Sequence, residues 1–142
     1  MHPIASNRAR LGWLRSGLKG ERWASVSDWE LKRQAPSYSV DTARRWRALD
    51  PGIDLYWILG SDQWVTLSRW KDYRKLAQMV KFLVFPRPEI AQPHVGMKMK
   101  PIALRFDISA TTIRNRLRSR LSVRGLVLRP VEKSLLKGRF YR

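Results

Sequence analysis

Three short stretches hold residue types that can do chemistry. The first is "DISATTIRNRLRSRL", residues 107 to 121. Ser109 is placed to cap a helix, and the turn after it, Ala110-Thr111-Thr112, has two hydroxyls and no carboxylate. A helix start leaves backbone N–H groups unsatisfied and carries partial positive charge. A start without Asp or Glu is therefore open to a bound anion. Arg114, one turn further on, can curl back toward the same place. Ile113, Leu117 and Leu121 recur every four residues and form the buried stripe, flanked by Arg114 and Arg118 on one side and Arg116 and Arg120 on the other. An ordinary amphipathic helix with a serine cap uses the same residues equally well, and the stretch alone does not separate the two.

The second stretch is "LGSDQWVTLSRW", residues 59 to 70, directly after an apolar run. A glycine at the end of a buried strand lets a ligand approach the backbone. In open α/β sheets ligands sit beyond the carboxyl ends of the strands, which is where Gly60, Ser61 and Asp62 fall. Asp62 can accept from a ribose hydroxyl or simply cap the short helix that follows. Trp70 can stack on a base or pack in the core. The third stretch is "PSYSVDT", residues 36 to 42. Ser39 caps the next helix, and the same backbone and hydroxyl can clasp a small anion.

These residues need elements to hold them. Ser6-Asn7 begins a helix to about Leu18, with Leu11, Leu14 and Leu18 on one face and Gly20 as its stop. "RWASVSDWEL" alternates loosely and predicts one or two short strands near residues 24 to 29. "APSYSVDTARRWRALDPG" reads as loop, cap, helix and Pro-Gly stop. "IDLYWIL" and "KFLVF" are continuous apolar runs of strand length, as in strands buried on both faces of a parallel sheet. Between them lie a turn, a short helix and a second helix. "PRPEIAQPHVGMKMKP" has four prolines and a glycine and reads as loop, and "IALRF" as a third strand. A final helix, "PVEKSLLKG", closes the chain. Strand, helix, strand, loop, strand, helix is the rhythm of an open α/β sheet.

Composition bounds the chemistry. At 142 residues, 44% hydrophobic and 11% aromatic, the chain fits one domain over residues 1 to 142 with a real core. Cysteine is absent, which excludes disulfides and Cys-containing zinc sites, and the two histidines, His2 and His94, are far apart, which excludes a His-rich metal centre. No apolar run reaches transmembrane length and no signal peptide is evident, so a cytoplasmic protein without a membrane partner is expected. The balance of 29 Lys and Arg against 11 Asp and Glu gives a net charge of +18. That points to an anionic partner: nucleic acid, a membrane surface or a phosphorylated small molecule. Solvated arginine faces account for such charge as well.

Each stretch is weak alone, but their order and spacing are specific. The chain resembles the C-terminal two-thirds of the bacterial nicotinate-nucleotide adenylyltransferases. The resemblance rests on "SDWEL", "PSYSVDT" (family: PSYTVDT), Gly60-Ser61-Asp62 with seven residues before Trp70, "VFPRP", "ISATTIR" (family: ISSTxIR), "SVRGLV" and the final "GRFYR". It runs from about Arg8 onward and implies an α/β, Rossmann-like nucleotidyltransferase fold with an open parallel sheet and flanking helices. The implied substrates are ATP and nicotinic acid mononucleotide, the products deamido-NAD and pyrophosphate, with Mg²⁺ accompanying ATP and no protein ligand for it identified. By the same resemblance, Ser39 helps bind the nicotinate carboxylate, Trp70 stacks on the pyridine ring and the Lys71 amide lies beside it. Gly60 and Asp62 stand near the adenosine ribose. Ser109, Thr111 and Arg114 stand where the family binds ATP phosphates, joined more weakly by Arg87.

The family's glycine-rich segment ending HxGH has no counterpart among these 142 residues. The resemblance thus implies a sheet lacking its first two strands, with "LYWIL" at an edge, where a continuous apolar run is poorly placed. The missing half is expected upstream in frame, lost by gene decay, or on a separate chain. One preorganised transition-state contact contributes about 3–4 kcal/mol, so this chain alone is expected to turn over slowly or not at all, with no catalytic residue of its own. The rival reading is a non-catalytic basic remnant that binds nucleotides or nucleic acid, since polyanion binding needs only Lys and Arg. No nucleic-acid-binding motif accompanies the charge, and the sequence does not set the oligomeric state.

Overall fold

In a computed structural model of the chain, the described residues are 5–34, 36–87, 92–104, 108–138 and 140–141. In chain order the elements are α1 (Asn7–Gly17), a 3₁₀ turn (Trp29–Lys32), α2 (Ser39–Leu49), β1 (Tyr56–Gly60), α3 (Ser61–Val65), a 3₁₀ turn (Leu67–Arg69), α4 (Tyr73–Met79), β2 (Lys81–Phe85), β3 (Met99–Pro101), α5 (Ala110–Arg118) and α6 (Arg129–Lys137). They gather into two compact units, one of Met1–Arg33 with Ile108–Arg142 and one of Gln34–Asp107. Among the described residues no helix is long and apolar enough to cross a membrane.

The unit Gln34–Asp107 is built on a three-stranded parallel sheet of order β1-β2-β3. Tyr56 to Gly60 pair in register with Lys81 to Phe85, and Phe82 to Val84 with Met99 to Pro101. Central β2 buries Phe82 and Val84, which join Val40, Ala43, Leu59, Trp64, Leu67, Leu76 and Val80 in one core. β1 departs from the expectation of a strand buried on both faces: Tyr56 and Ile58 are 52% and 64% exposed. Among the described strands it pairs only with β2 and is an edge. The third strand also shifts. It falls on Met99–Pro101, inside the stretch read as loop, rather than on "IALRF". The ladder runs from Lys98, whose carbonyl accepts from Phe82 N–H at 2.9 Å, to Ile102, whose N–H donates to Val84 O at 2.9 Å. Pro101 is tolerated because an outer strand needs ladder bonds on one side only. Arg105, Phe106 and Asp107 lie outside the described residues, as do residues 88 to 91 of the proline-rich stretch.

Arg47, near the end of α2, latches this unit together. Its Nη1 donates to Ile53 O at 2.7 Å and its Nη2 to Met79 O at 3.0 Å. Guanidinium is the side chain suited to this, since its planar fork carries five donors.

In the other unit, α1 begins as expected at Ser6, whose Oγ accepts from Ala9 N–H at 3.2 Å. The predicted leucine face is only partly its packing side: Leu11 and Leu18 are half-buried. Leu14 is exposed, while Trp13 packs edge-on to Phe140 at 4.9 Å and donates from Nε1 to Ser134 Oγ at 3.0 Å. A tryptophan can bury its rings only where the N–H finds an acceptor, and Ser134 supplies one. Gly17 permits α1 to approach α6: a Cβ there would lie 3.2 Å from Leu128 Cδ1. Leu117, Val123 and Leu135 are the buried centre. The short strands expected near residues 24 to 29 are not formed; that segment is irregular and ends in the 3₁₀ turn Trp29–Lys32. A strand is stabilised by a paired neighbour, and no described residue pairs with this segment. His2, Arg139 and Arg142 lie outside the described residues.

Candidate functional site

"PSYSVDT" and "LSRW" are distant in sequence but meet around one cavity. α2 starts at Ser39 itself, so Ser39 is its first residue rather than its cap. The residue before it, Tyr38, is extended and makes no side-chain cap bond. The expected Ser39 cap is corrected accordingly: the helix opens one residue earlier, and the Ser39 hydroxyl is not committed to closing it. A cavity of about 260 Å³ is lined by Ser37, Tyr38, Ser39, Arg69, Trp70 and Lys71. Trp70 follows the 3₁₀ turn, is half-buried, and packs its inner side on the core of this unit. The Lys71 ammonium stands 4.3 Å over the Tyr38 ring. Ser39, Trp70 and Lys71 are thus brought together, with Tyr38 and Arg69 as further lining residues that the sequence reading left without a role.

The charge around this cavity is ordered. Asp41, in the first turn of α2, pairs with Arg44 at 2.8 Å. Asp72, in the left-handed region at φ 51°, precedes α4 and pairs with Lys75 at 3.2 Å and Arg44 at 3.7 Å. The hydrogen bond from Lys75 holds the Asp72 carboxyl below its ordinary value of 3.8, with Arg44 and Lys71 adding to the pull.

Gly60 and Arg87 meet at the carboxyl ends of β1 and β2. A second cavity, about 290 Å³, is lined by Ile58, Leu59, Gly60, Phe85, Pro86 and Arg87. A Cβ on Gly60 would fall 2.4 Å from Asp62 Oδ1 and 3.0 Å from Arg87 Cδ, so only glycine leaves those two side chains in place. Asp62 is exposed in the first turn of α3, with its Oδ1 beside Gly60. Ser61 is 2% exposed and its Oγ takes both backbone groups of Arg87, accepting from N–H and donating to C=O, each at 2.7 Å. It fixes the strand end that carries Arg87. The two cavities share no lining residue.

The third group stands on α5. Ser109 is the expected cap, accepting from Thr112 N–H at 3.0 Å, with its Oγ also 2.8 Å from Thr112 Oγ1. The first turn holds no acid. Arg114 curls back, its Nη2 donating to Thr111 Oγ1 at 2.9 Å. Ser109, Thr111 and Arg114 therefore share one helix start. The predicted stripe stops short: Leu117 is buried but Leu121 is 53% exposed. The cause is the helix end at Arg118, with Arg120 left-handed at φ 55°.

His94 lies away from this chemistry. Its ring lies 4.8 Å from the Trp64 ring, tilted by 47°, and its Nε2 stands 3.2 Å from Trp64 O, while Trp64 Nε1 donates to Gln92 O at 2.7 Å. It anchors the stretch from Gln92 to the core.

Residues 2–116 match the cytidylyltransferase-like family. A nicotinate-nucleotide adenylyltransferase of Methylacidiphilum infernorum is 35% identical over 142 residues, covering 99% of this chain and 70% of the relative. Among solved structures, Plasmodium falciparum nicotinic acid mononucleotide adenylyltransferase complexed with APC superposes with a TM-score of 0.74 at 15% identity, over 96% of this chain and 76% of that one. The same enzyme complexed with NaAD gives 0.60 at 17% identity, over 75% and 58%.

Proposed function

The chain belongs to the cytidylyltransferase-like family, and within it to the nicotinate-nucleotide adenylyltransferases of NAD biosynthesis; on that premise we propose that it binds nicotinic acid mononucleotide and ATP for adenylyl transfer. In that reaction a phosphate oxygen of the mononucleotide attacks the α-phosphorus of ATP. The bond to the β-phosphate breaks, giving deamido-NAD and pyrophosphate. The observation that carries the proposal is the open cavity lined by Ser39, Trp70 and Lys71, which two distant segments build together. Trp70 offers a π-face to the pyridine ring; Ser39 and the Lys71 amide offer donors to its carboxylate. Gly60, Asp62 and Arg87 form the ribose and phosphate side. Ser109, Thr111 and Arg114 offer a helix start and a guanidinium to the ATP phosphates. Mg²⁺ is expected to arrive on ATP phosphate oxygens; among the described residues no group of three His, Asp or Glu gathers as a ligand set. A cytoplasmic location is part of the same proposal.

A second reading has one observation in its favour. On α5, Arg116 donates to Ser122 O and Arg118 to Asn115 Oδ1, so the described partners of both are neutral oxygens. That suits a polyanion such as nucleic acid. Melting curves separate the two readings. The mononucleotide at 100 times its Kd is expected to stabilise the chain by about 2.7 kcal/mol, and Trp70→Ala is expected to abolish that shift. A shift with oligonucleotide alone, falling steeply with salt, would support the second reading against the first.

A further inference from the structure

We propose that the outer face of α6, with the groove beside it, docks on a membrane surface of anionic lipid. Ten of the 29 Lys and Arg residues fall in residues 108–142, against one acid, Glu132. On α6 three of them, Arg129, Lys133 and Lys137, recur every four residues and so stand in one row along the helix. All three are exposed. The opposite side of α6 carries Val131 and Leu135, which pack in the core of this unit. Beside the row lies an open groove of about 440 Å³, whose apolar lining is Leu117, Leu121, Val123 and Leu136. Leu136 links the two features: it lines the groove and stands one turn on from Lys133, next to Lys137. Both Leu121 and Leu136 are exposed. Arg120 adds a guanidinium to the lining, and half-buried Glu132 adds the single carboxylate.

A row of ammonium and guanidinium groups attracts any polyanion. The leucines decide between partners. Nucleic acid gains from stacking its bases on aromatic rings, and no aromatic ring lines this groove. Exposed leucines next to long basic side chains suit a surface that is anionic outside and apolar just beneath. There Arg and Lys reach headgroup phosphates while their stems and the leucines meet acyl chains. Glu132 opposes the attraction but is outnumbered by Arg120, Arg129, Lys133 and Lys137. The contact is made at the surface: among the described residues no helix is long and apolar enough to cross a membrane, and α6 has nine residues. The proposal is independent of the mononucleotide reading, since none of these side chains belongs to the sites assigned above.

The test sediments the full chain with vesicles of phosphatidylcholine alone and with vesicles of phosphatidylcholine and phosphatidylglycerol in equal parts. Wild type is expected to bind the mixed vesicles, to leave the neutral ones, and to bind less as salt rises. The combined variant Arg129→Gln, Lys133→Gln, Lys137→Gln is expected to weaken binding by on the order of a hundredfold. Leu121→Ser with Leu136→Ser is expected to weaken it by roughly tenfold, with affinity for a single-stranded oligonucleotide left as in wild type. Thermal unfolding checks that each variant keeps its fold, and the lipid and salt dependence of wild type tests the proposal without any variant. Equal binding to both kinds of vesicle, binding that ignores salt, or a leucine variant that binds the mixed vesicles as wild type does would overturn the proposal. So would failure of wild type to bind the mixed vesicles; if it binds oligonucleotide instead, the row serves nucleic acid.

Discussion

Ser61 ties two strand ends together with one hydroxyl. Its Oγ satisfies the N–H and the C=O of Arg87 at once, from a position 2% exposed. Removing it takes one hydrogen bond from each of those two backbone groups. Ser61→Ala is expected to cost about 1–2 kcal/mol, seen as a lower urea midpoint with an unchanged slope. An unchanged midpoint would show that water replaces the hydroxyl at no cost. The sequence placed Ser61 at the strand end but gave no sign of this role, because its partner is 26 residues away. Arg47 escaped notice for the same reason. Its acceptors are carbonyl oxygens, and any residue type provides those. Trp70, Ser39 and Arg114 were legible because their chemistry lies in the side chain and its spacing.

At the scale of elements, two of the three serine caps were read correctly, Ser39 being the exception, and strand limits less well. Ser6 and Ser109 both cap where a serine precedes a helical stripe. The apolar runs predicted β1 and β2, but not how many neighbours each would have. The pattern of a run does not report whether one face meets water. α5 shows how a helix end overrides periodicity: Leu121 continues the four-residue spacing, yet the helix has stopped three residues before it. Arg120 carries that stop at φ 55°, a conformation that costs a β-carbon-bearing residue about 1–2 kcal/mol. Glycine avoids that cost while adding freedom to the unfolded chain. Arg120→Gly is therefore expected to raise stability by up to about 1 kcal/mol, measured by thermal unfolding. A loss of stability would show that the Arg120 side chain supports the end of α5 through contacts that outweigh its backbone.

At the scale of the whole molecule, the excess of 18 positive charges said only that the partner is anionic. Fold class was legible from the alternation of elements, and the family from a handful of short motifs in the right order. The convergence of "PSYSVDT" with "LSRW" around one cavity came from the family resemblance and not from spacing, since it depends on α2 and α4 packing over the same sheet core. The most direct measurement is a calorimetric titration of nicotinic acid mononucleotide into the full chain and into its Trp70→Ala variant. Expected is saturable one-to-one binding that weakens by roughly tenfold or more in the variant, since stacking on an aromatic side chain contributes about 1–3 kcal/mol. Binding of equal strength in both chains, or none in wild type, would contradict the assignment of this cavity to the pyridine mononucleotide.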